Sequence, residues 1–216
     1  MGIQERKQRE REIRRQHIMI AARRIFTKKG YESATMEDIA REAELSPGTL
    51  YLYFKNKDEL YASLSIRVLQ FMNVKLEHVM EPPGVDFDTR KEAVMNTLFE
   101  VYEFDPVILN NMFHLQSSET LKNLGPELLK EINDLSQKAL RTLAGIFVEG
   151  QKAGIVVEAH PTALADILWS VFAGIVLWEE SKKMLNVDRY HIRETIALAF
   201  EILGRGMKVS PNAPTT

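Results

Sequence analysis

The stretch from Ser46 to Leu60, SPGTLYLYFKNKDEL, constrains this chain more than any other, because it sets two helix starts in quick succession. Ser46 is placed to accept an orphan backbone N–H as an N-cap, and Pro47 stands at the first helical position, where its missing N–H costs nothing. Leu50 and Phe54, four apart, share one face and read as core. Thr49, Tyr51 and Tyr53 are left for the remainder of the cylinder. Asn56 caps the next helix, and Glu59, three residues on, completes a capping box. A helix of barely two turns is too short to persist alone. It requires a scaffold behind it.

Charge indicates what lies in front. The chain as a whole carries a formal net charge of -2, yet residues 1–30 hold ten lysines and arginines against three glutamates, leaving a net negative remainder. A basic end on an acidic body points to a polyanion, since neutralising phosphates is the sequence-independent part of nucleic-acid affinity. Cysteine is absent, which excludes disulfides, thiolate nucleophiles and Cys-ligated zinc and suits a reducing cytoplasm. The N-terminus lacks the apolar core of a secretory signal. The most apolar run, Ala163 to Trp178, contains Asp166 and falls short of the roughly twenty residues that span a bilayer. It reads as a buried helix, and no membrane partner is expected.

The remaining pattern is helical throughout. Ile18, Ala21, Ala22 and Ile25 recur at helical steps in a helix from Ile13 to Lys29, stopped by Gly30. Thr35 caps a second helix with Asp38 three residues later, and Met36, Ile39, Ala40 and Ala43 form its apolar stripe. With the helix at Ser46, this is the arrangement of a helix-turn-helix. A long helix runs from Asn56 towards Met80 and ends at Glu81-Pro82-Pro83-Gly84. Further helices are expected at Lys91–Phe104, Pro106–Ser117, Glu127–Lys152, Pro161–Trp178 and from Asp188 to about Gly204. Ile155 to Val157 reads as briefly extended, and residues 210–216 as a disordered tail. The expected organisation is all-α: a helix-turn-helix domain over 1–60, whose charge suits DNA, and a larger helical domain over 61–209.

In the helix from Pro161, Leu164, Ile167, Leu168, Val171, Phe172, Ile175 and Trp178 form one stripe. Ala163, Trp169, Ala173, Val176 and Leu177 cover much of the rest. A helix apolar nearly all round needs cover on two sides. One side can be its own core and the other a second copy, with Ile192, Ile196, Ala199, Phe200 and Leu203 of the last helix joining the contact. A homodimer through the last two helices follows as the expectation.

The segments Thr35–Ala43 and Ser46–Leu60 resemble the TetR/AcrR family of transcriptional regulators. The residues carrying the likeness are Ile39, Ala40, Ala43, Ser46, Gly48, Thr49, Leu50, Tyr51, Tyr53, Phe54, Lys57 and Leu60. The resemblance implies a dimer whose third helices enter successive major grooves of a roughly palindromic operator, usually as a repressor. It implies base contacts from Pro47, Gly48 and Thr49, and phosphate contacts from Thr35, Ser46, Tyr51, Tyr53 and Lys57. Two positions depart from the family pattern. Glu44 stands where glycine is usual, so it must accept a left-handed conformation at roughly 1 kcal/mol unless the turn is shaped differently. Pro47 stands where a polar residue is common, so any readout there is apolar.

The resemblance also implies a small-molecule effector in the larger domain. Met95, Phe99, Tyr102, Met112, Phe113, Phe147, Trp169 and Phe172 are the candidate lining, and such adaptable apolar walls suit a lipophilic ligand. The alternative for each is plain core. Two other functions are open to such a chain: a ligand-independent DNA-binding regulator of low sequence specificity, and an all-α enzyme. Against the latter, HExxH, GxSxG and a P-loop are absent, and no catalytic residue, metal site or cofactor is expected.

Overall fold

The computed structural model describes residues 2–81, 83–116, 124–185 and 191–209. The fold is all-α, with α1 (Ile3–Ser33), α2 (Met36–Glu42), α3 (Pro47–Tyr51), α4 (Lys57–Met80), α5 (Phe87–Phe104), α6 (Pro106–Gln116), α7 (Pro126–Lys152), α8 (Pro161–Met184) and α9 (Ile192–Gly206). A small N-terminal helical bundle is joined by α4 to a larger helical domain. Two compact units divide the chain: Met1–Arg67 with Val107–Ile132, and Val68–Pro106 with Asn133–Thr216. The expected tail over 210–216 and the helix start at Asp188 lie outside the described residues.

In the first unit, α1 packs on α2 and α2 on α3. Ile18, Ala22 and Phe26 of α1 meet Ile39, Ala40, Leu50, Phe54, Leu60 and Tyr61 in a fully buried core. The expected stripes are therefore the packed ones, except that Ala43 is only half-buried. Helix α1 begins at Ile3 rather than Ile13. Apolar periodicity reports only the packed length of a helix; the extension consists of good helix formers, with Glu5 accepting the Gly2 N–H at 2.9 Å and Arg6 paired to Glu10 at 2.9 Å.

Gly30 does not end α1 but bends it, at φ 76 and ψ 162, a conformation open in practice to glycine alone. The last turn then presents the Tyr31 and Glu32 carbonyls to Lys57, whose ammonium donates to them at 2.7 and 3.2 Å. Asn56 caps α4 as expected, accepting the Glu59 N–H at 2.8 Å. The reciprocal half of the box is shifted, because the Glu59 carboxylate takes the N–H of Lys55 at 2.7 Å. Tyr61 is completely buried and donates to the Ile108 carbonyl at 3.0 Å, anchoring α6 within this unit.

In the second unit, α9 packs on α5 and α8. Asn73 ties α4 to α7 by donating to the Leu69 and Leu135 carbonyls at 2.8 and 3.0 Å. Arg90 is buried; it donates to the Met80 carbonyl at 3.5 Å and pairs with Glu149 at 3.2 Å. Helix α5 begins at Phe87 rather than Lys91, because Asp86 caps it by accepting the Thr89 N–H at 3.0 Å. A Cβ at Gly150 would stand 2.5 Å from Val156 Cγ2 and 2.9 Å from Phe87 Cδ2, so glycine there permits close packing of α7. The extended residues after α7 pair with the end of the chain: Val157 N–H to the Met207 carbonyl at 2.8 Å and Val209 N–H to the Ile155 carbonyl at 2.9 Å.

Helix α8 is longer than its apolar run. It reaches Met184, and Pro161–Lys182 is long and apolar enough to cross a membrane by length and composition. It is not apolar cover all round. Leu164, Leu168, Phe172 and Val176 are buried, whereas Ile167 and Trp178 on the other side are exposed. Glu179 is also buried, paired with Lys182.

Candidate nucleic-acid interface

Helix α2 starts on a complete capping box: Thr35 Oγ1 accepts the Asp38 N–H at 3.1 Å, and Asp38 accepts the Thr35 N–H at 3.3 Å. Lys29 pairs with Asp38 at 2.7 Å and Arg24 with Glu42 at 3.3 Å, so α1 grips both ends of α2. The Lys29 and Thr35 hydrogen bonds hold the Asp38 carboxyl below its ordinary range. Its contribution to stability is present above the usual carboxylate value near 4 and is lost as pH falls through the depressed one.

The turn to α3 explains Glu44. The Leu45 N–H returns to the Ala40 carbonyl at 2.8 Å and the Glu44 N–H to the Arg41 carbonyl at 3.1 Å. This pair of bonds is a Schellman motif, which places the residue after the C-cap in the left-handed region. Glu44 occupies it with φ 56, the one positive φ outside glycine among the described residues. Glu44→Gly is expected to relieve that strain and, after the entropy cost of glycine, raise stability by about 0.5 kcal/mol. A rise of about 1–2 °C in Tm by calorimetry checks this; a fall would mean the Glu44 side chain supports the turn.

Helix α3 is capped as its sequence requires. Ser46 Oγ accepts the Thr49 N–H at 3.1 Å and lies 2.8 Å from Thr49 Oγ1, joining the two hydroxyls at the helix start. Leu50 and Phe54 are fully buried behind it. Pro47 and Gly48 are exposed, and a Cβ at Gly48 would meet only Ser46 Oγ at 4.0 Å, so nothing stands in front of this first turn. Thr35 and Tyr51 are exposed, and Thr49, Tyr53 and Lys57 half-buried. Lys57 is more engaged than its sequence position implies. Besides its two carbonyls it lies 4.4 Å over the Tyr31 ring, leaving one N–H for an outside anion. Tyr31 donates to Asp58, and burial first, then that hydrogen bond, pushes its phenol well above the ordinary value.

Sequence reasoning passed over two residues of this surface. Leu52 is an exposed apolar side chain beside Tyr51. Arg15 donates to the Tyr53 carbonyl at 3.4 Å and to Ser63 Oγ at 2.9 Å, with its guanidinium 4.3 Å above the Phe54 ring. Its signal was position: it stands one turn before Ile18 where the packed side of α1 begins, and it is half-buried where Arg9, Arg11 and Arg14 are exposed.

The candidate effector residues are divided. Met112 and Phe113 are buried in the first unit. In the second, Phe147 and Phe172 are buried, while Met95, Phe99, Tyr102 and Trp169 are half-buried. Phe99 and Tyr102 lie 6.3 Å apart, Trp169 and Phe172 5.7 Å, and Arg193 sits 4.6 Å over Phe99. Among the described residues no three metal-ligating side chains converge.

A capped short helix, braced by two others and presenting an unobstructed first turn, defines a helix-turn-helix DNA-binding protein. Residues 18–64 match the profile of bacterial regulatory proteins, tetR family. The DNA-binding end of the chain is thus that of the TetR/AcrR family of transcriptional regulators. The chain is 27% identical over 191 residues to the HTH-type transcriptional regulator YhgD of Bacillus subtilis, covering 88% of this chain and 93% of that one. It is 25% identical over 193 residues to the fatty acid metabolism regulator protein of the same organism, covering 88% and 93%. Among solved structures, the transcriptional regulator FadR from Bacillus subtilis in complex with stearoyl-CoA superposes with a TM-score of 0.66 at 24% identity, covering 89% of this chain and 98% of that one.

Proposed function

We propose that the chain is a cytoplasmic, homodimeric repressor that binds a roughly palindromic operator and is released from it by a lipophilic small molecule. The carrying observation is the first turn of α3, where exposed Pro47 and Gly48 and the half-buried Thr49, held by Ser46, stand in front of a buried Leu50–Phe54 base. On this proposal those three residues meet base edges. Thr35, Ser46, Tyr51 and Tyr53 position phosphates, and Lys57 adds its remaining N–H. Thr49→Ala is then expected to change preference at one base pair by about 1–3 kcal/mol, read by selection from a random duplex pool. A wild-type chain that enriches no sequence would instead be a regulator of low specificity.

For the effector, the half-buried Met95, Phe99, Tyr102 and Trp169 supply adaptable apolar surface in the second unit, and the stearoyl-CoA complex of the similar FadR supports a long-chain acyl compound. Long-chain acyl-CoA at about 100 times its Kd is expected to stabilise the chain by roughly 2.7 kcal/mol and to weaken its hold on DNA. An acyl-CoA series that shifts neither Tm nor DNA affinity rules this class out.

A further inference from the structure

We propose that the N-terminal overhang of α1 is a second DNA contact, in which Lys7, Arg11 and Arg14 lie along the phosphate backbone flanking the segment met by α3. The inference rests on the DNA-binding role of α3 and adds a site outside the region, residues 18–64, that the family profile matches.

The argument begins with helical phase. At about 100° per residue, Lys7, Arg11, Arg14 and Arg15 fall on the same side of α1 as Ile18, Ala22 and Ile25. From Ile18 onward that side is the core of the three-helix bundle. Ahead of it the helix continues unbroken, and the side that was apolar becomes basic. Arg15 marks the changeover, since its hydrogen bonds to Tyr53 and Ser63 place it at the edge of the bundle where α3 gives way to α4. Beyond Arg15 the stripe emerges beside Tyr53, with Lys7, Arg11 and Arg14 exposed and, among the described residues, without a protein partner.

The acids leave the stripe net positive: Glu5 accepts the Gly2 N–H, Glu10 stands one turn from Lys7 and Arg14 but is paired with Arg6, and Glu12 lies at the stripe's edge beside Lys7, Arg11 and Arg15. From Ile3 to Arg14 the overhang is about 18 Å long, the axial length of roughly five base pairs, so three cations about 4.5–6 Å apart along it can each reach a different phosphate. An acidic surface of a second copy is the competing occupant, since the rest of the chain is net negative.

The experiment uses the full-length chain and a generic duplex of about 40 base pairs, comparing Lys7→Ala/Arg11→Ala with Arg6→Ala/Arg9→Ala. Both pairs remove the same charge from exposed positions, but Arg6 and Arg9 lie off the stripe. The stripe pair is expected to lower the salt slope of binding by about 2 per protomer and to weaken affinity about 50-fold at 0.1 M salt, with the off-stripe pair changing affinity less than about 3-fold. Unchanged melting temperatures keep folding out of the comparison. Equal losses from both pairs, or no loss from either, would overturn the contact. So would an unchanged slope with loss of low-salt self-association in the stripe pair, which assigns the stripe to a second copy. Because the duplex is generic, failure to select an operator leaves this result intact; a wild-type chain that binds no duplex overturns both proposals.

Discussion

Replacing Trp178 and Ile202 together by aspartate is expected to yield a folded monomer whose affinity for a duplex carrying two half-sites falls by about 100-fold or more. The expectation starts from the outer sides of α8 and α9. Ile167 and Trp178 of α8 are 46% and 59% exposed, and Leu198 and Ile202 of α9 are 56% and 61% exposed, while the opposite sides of both helices are core. Ile167 and Trp178 are eleven residues apart, three turns, and share a face; Gly174 between them has nothing within 4 Å of its Cβ position, so a partner helix can approach closely there. Covering the exposed parts of these side chains on two copies removes several hundred Å2 of apolar surface from water, a gross gain on the order of 10 kcal/mol before association costs. Two aspartates per copy in that contact would face one another across the two-fold axis unpaired. Sedimentation at micromolar concentration reads the mass directly. A dimer that survives the double substitution, with Tm unchanged, would place the interface elsewhere and remove the reason for the loss on DNA.

Much of this was legible in the sequence because local chemistry decided it. Thr35, Ser46 and Asn56 each cap the helix that follows them, and Leu50 and Phe54 are buried as their spacing requires. Glu44 could be identified from its place in the turn, though only the backbone bonds of the Schellman motif show why the left-handed conformation is needed. What stayed hidden depends on contacts distant along the chain. Nothing in the local pattern announces that Lys57 donates to carbonyls of α1, or that Arg15 rather than another of ten cations reaches Tyr53 and Ser63. The apolar stripe of α8 was likewise visible but not its partition, because periodicity marks which residues are apolar and not which side the rest of the fold covers. Residue roles at DNA lie beyond both and are decided by binding measurements.

The second large effect concerns what holds α3 in place. Phe54→Ala is expected to destabilise the first unit by about 4 kcal/mol, and Phe54→Leu by only about 1–1.5 kcal/mol. The ring is completely buried between Leu50 and the Arg15 guanidinium, 4.3 Å above it, so truncation opens a cavity and removes a cation–π contact together. Helix α3 has five residues and cannot persist without that support. Affinity for DNA should therefore fall through the folded fraction and recover on cooling below the lowered transition, with the salt slope unchanged. Loss of a phosphate contact behaves oppositely, altering the slope while leaving Tm in place. A cycle of Arg15→Ala with Phe54→Leu should show coupling of about 0.5–1 kcal/mol if the guanidinium and ring act as one unit. Additive losses, or a Phe54→Ala chain with wild-type Tm, would mean that α3 is held by α2 and the turn at Glu44 instead. In that case the Leu50–Phe54 pair would be packing without control over the surface it carries.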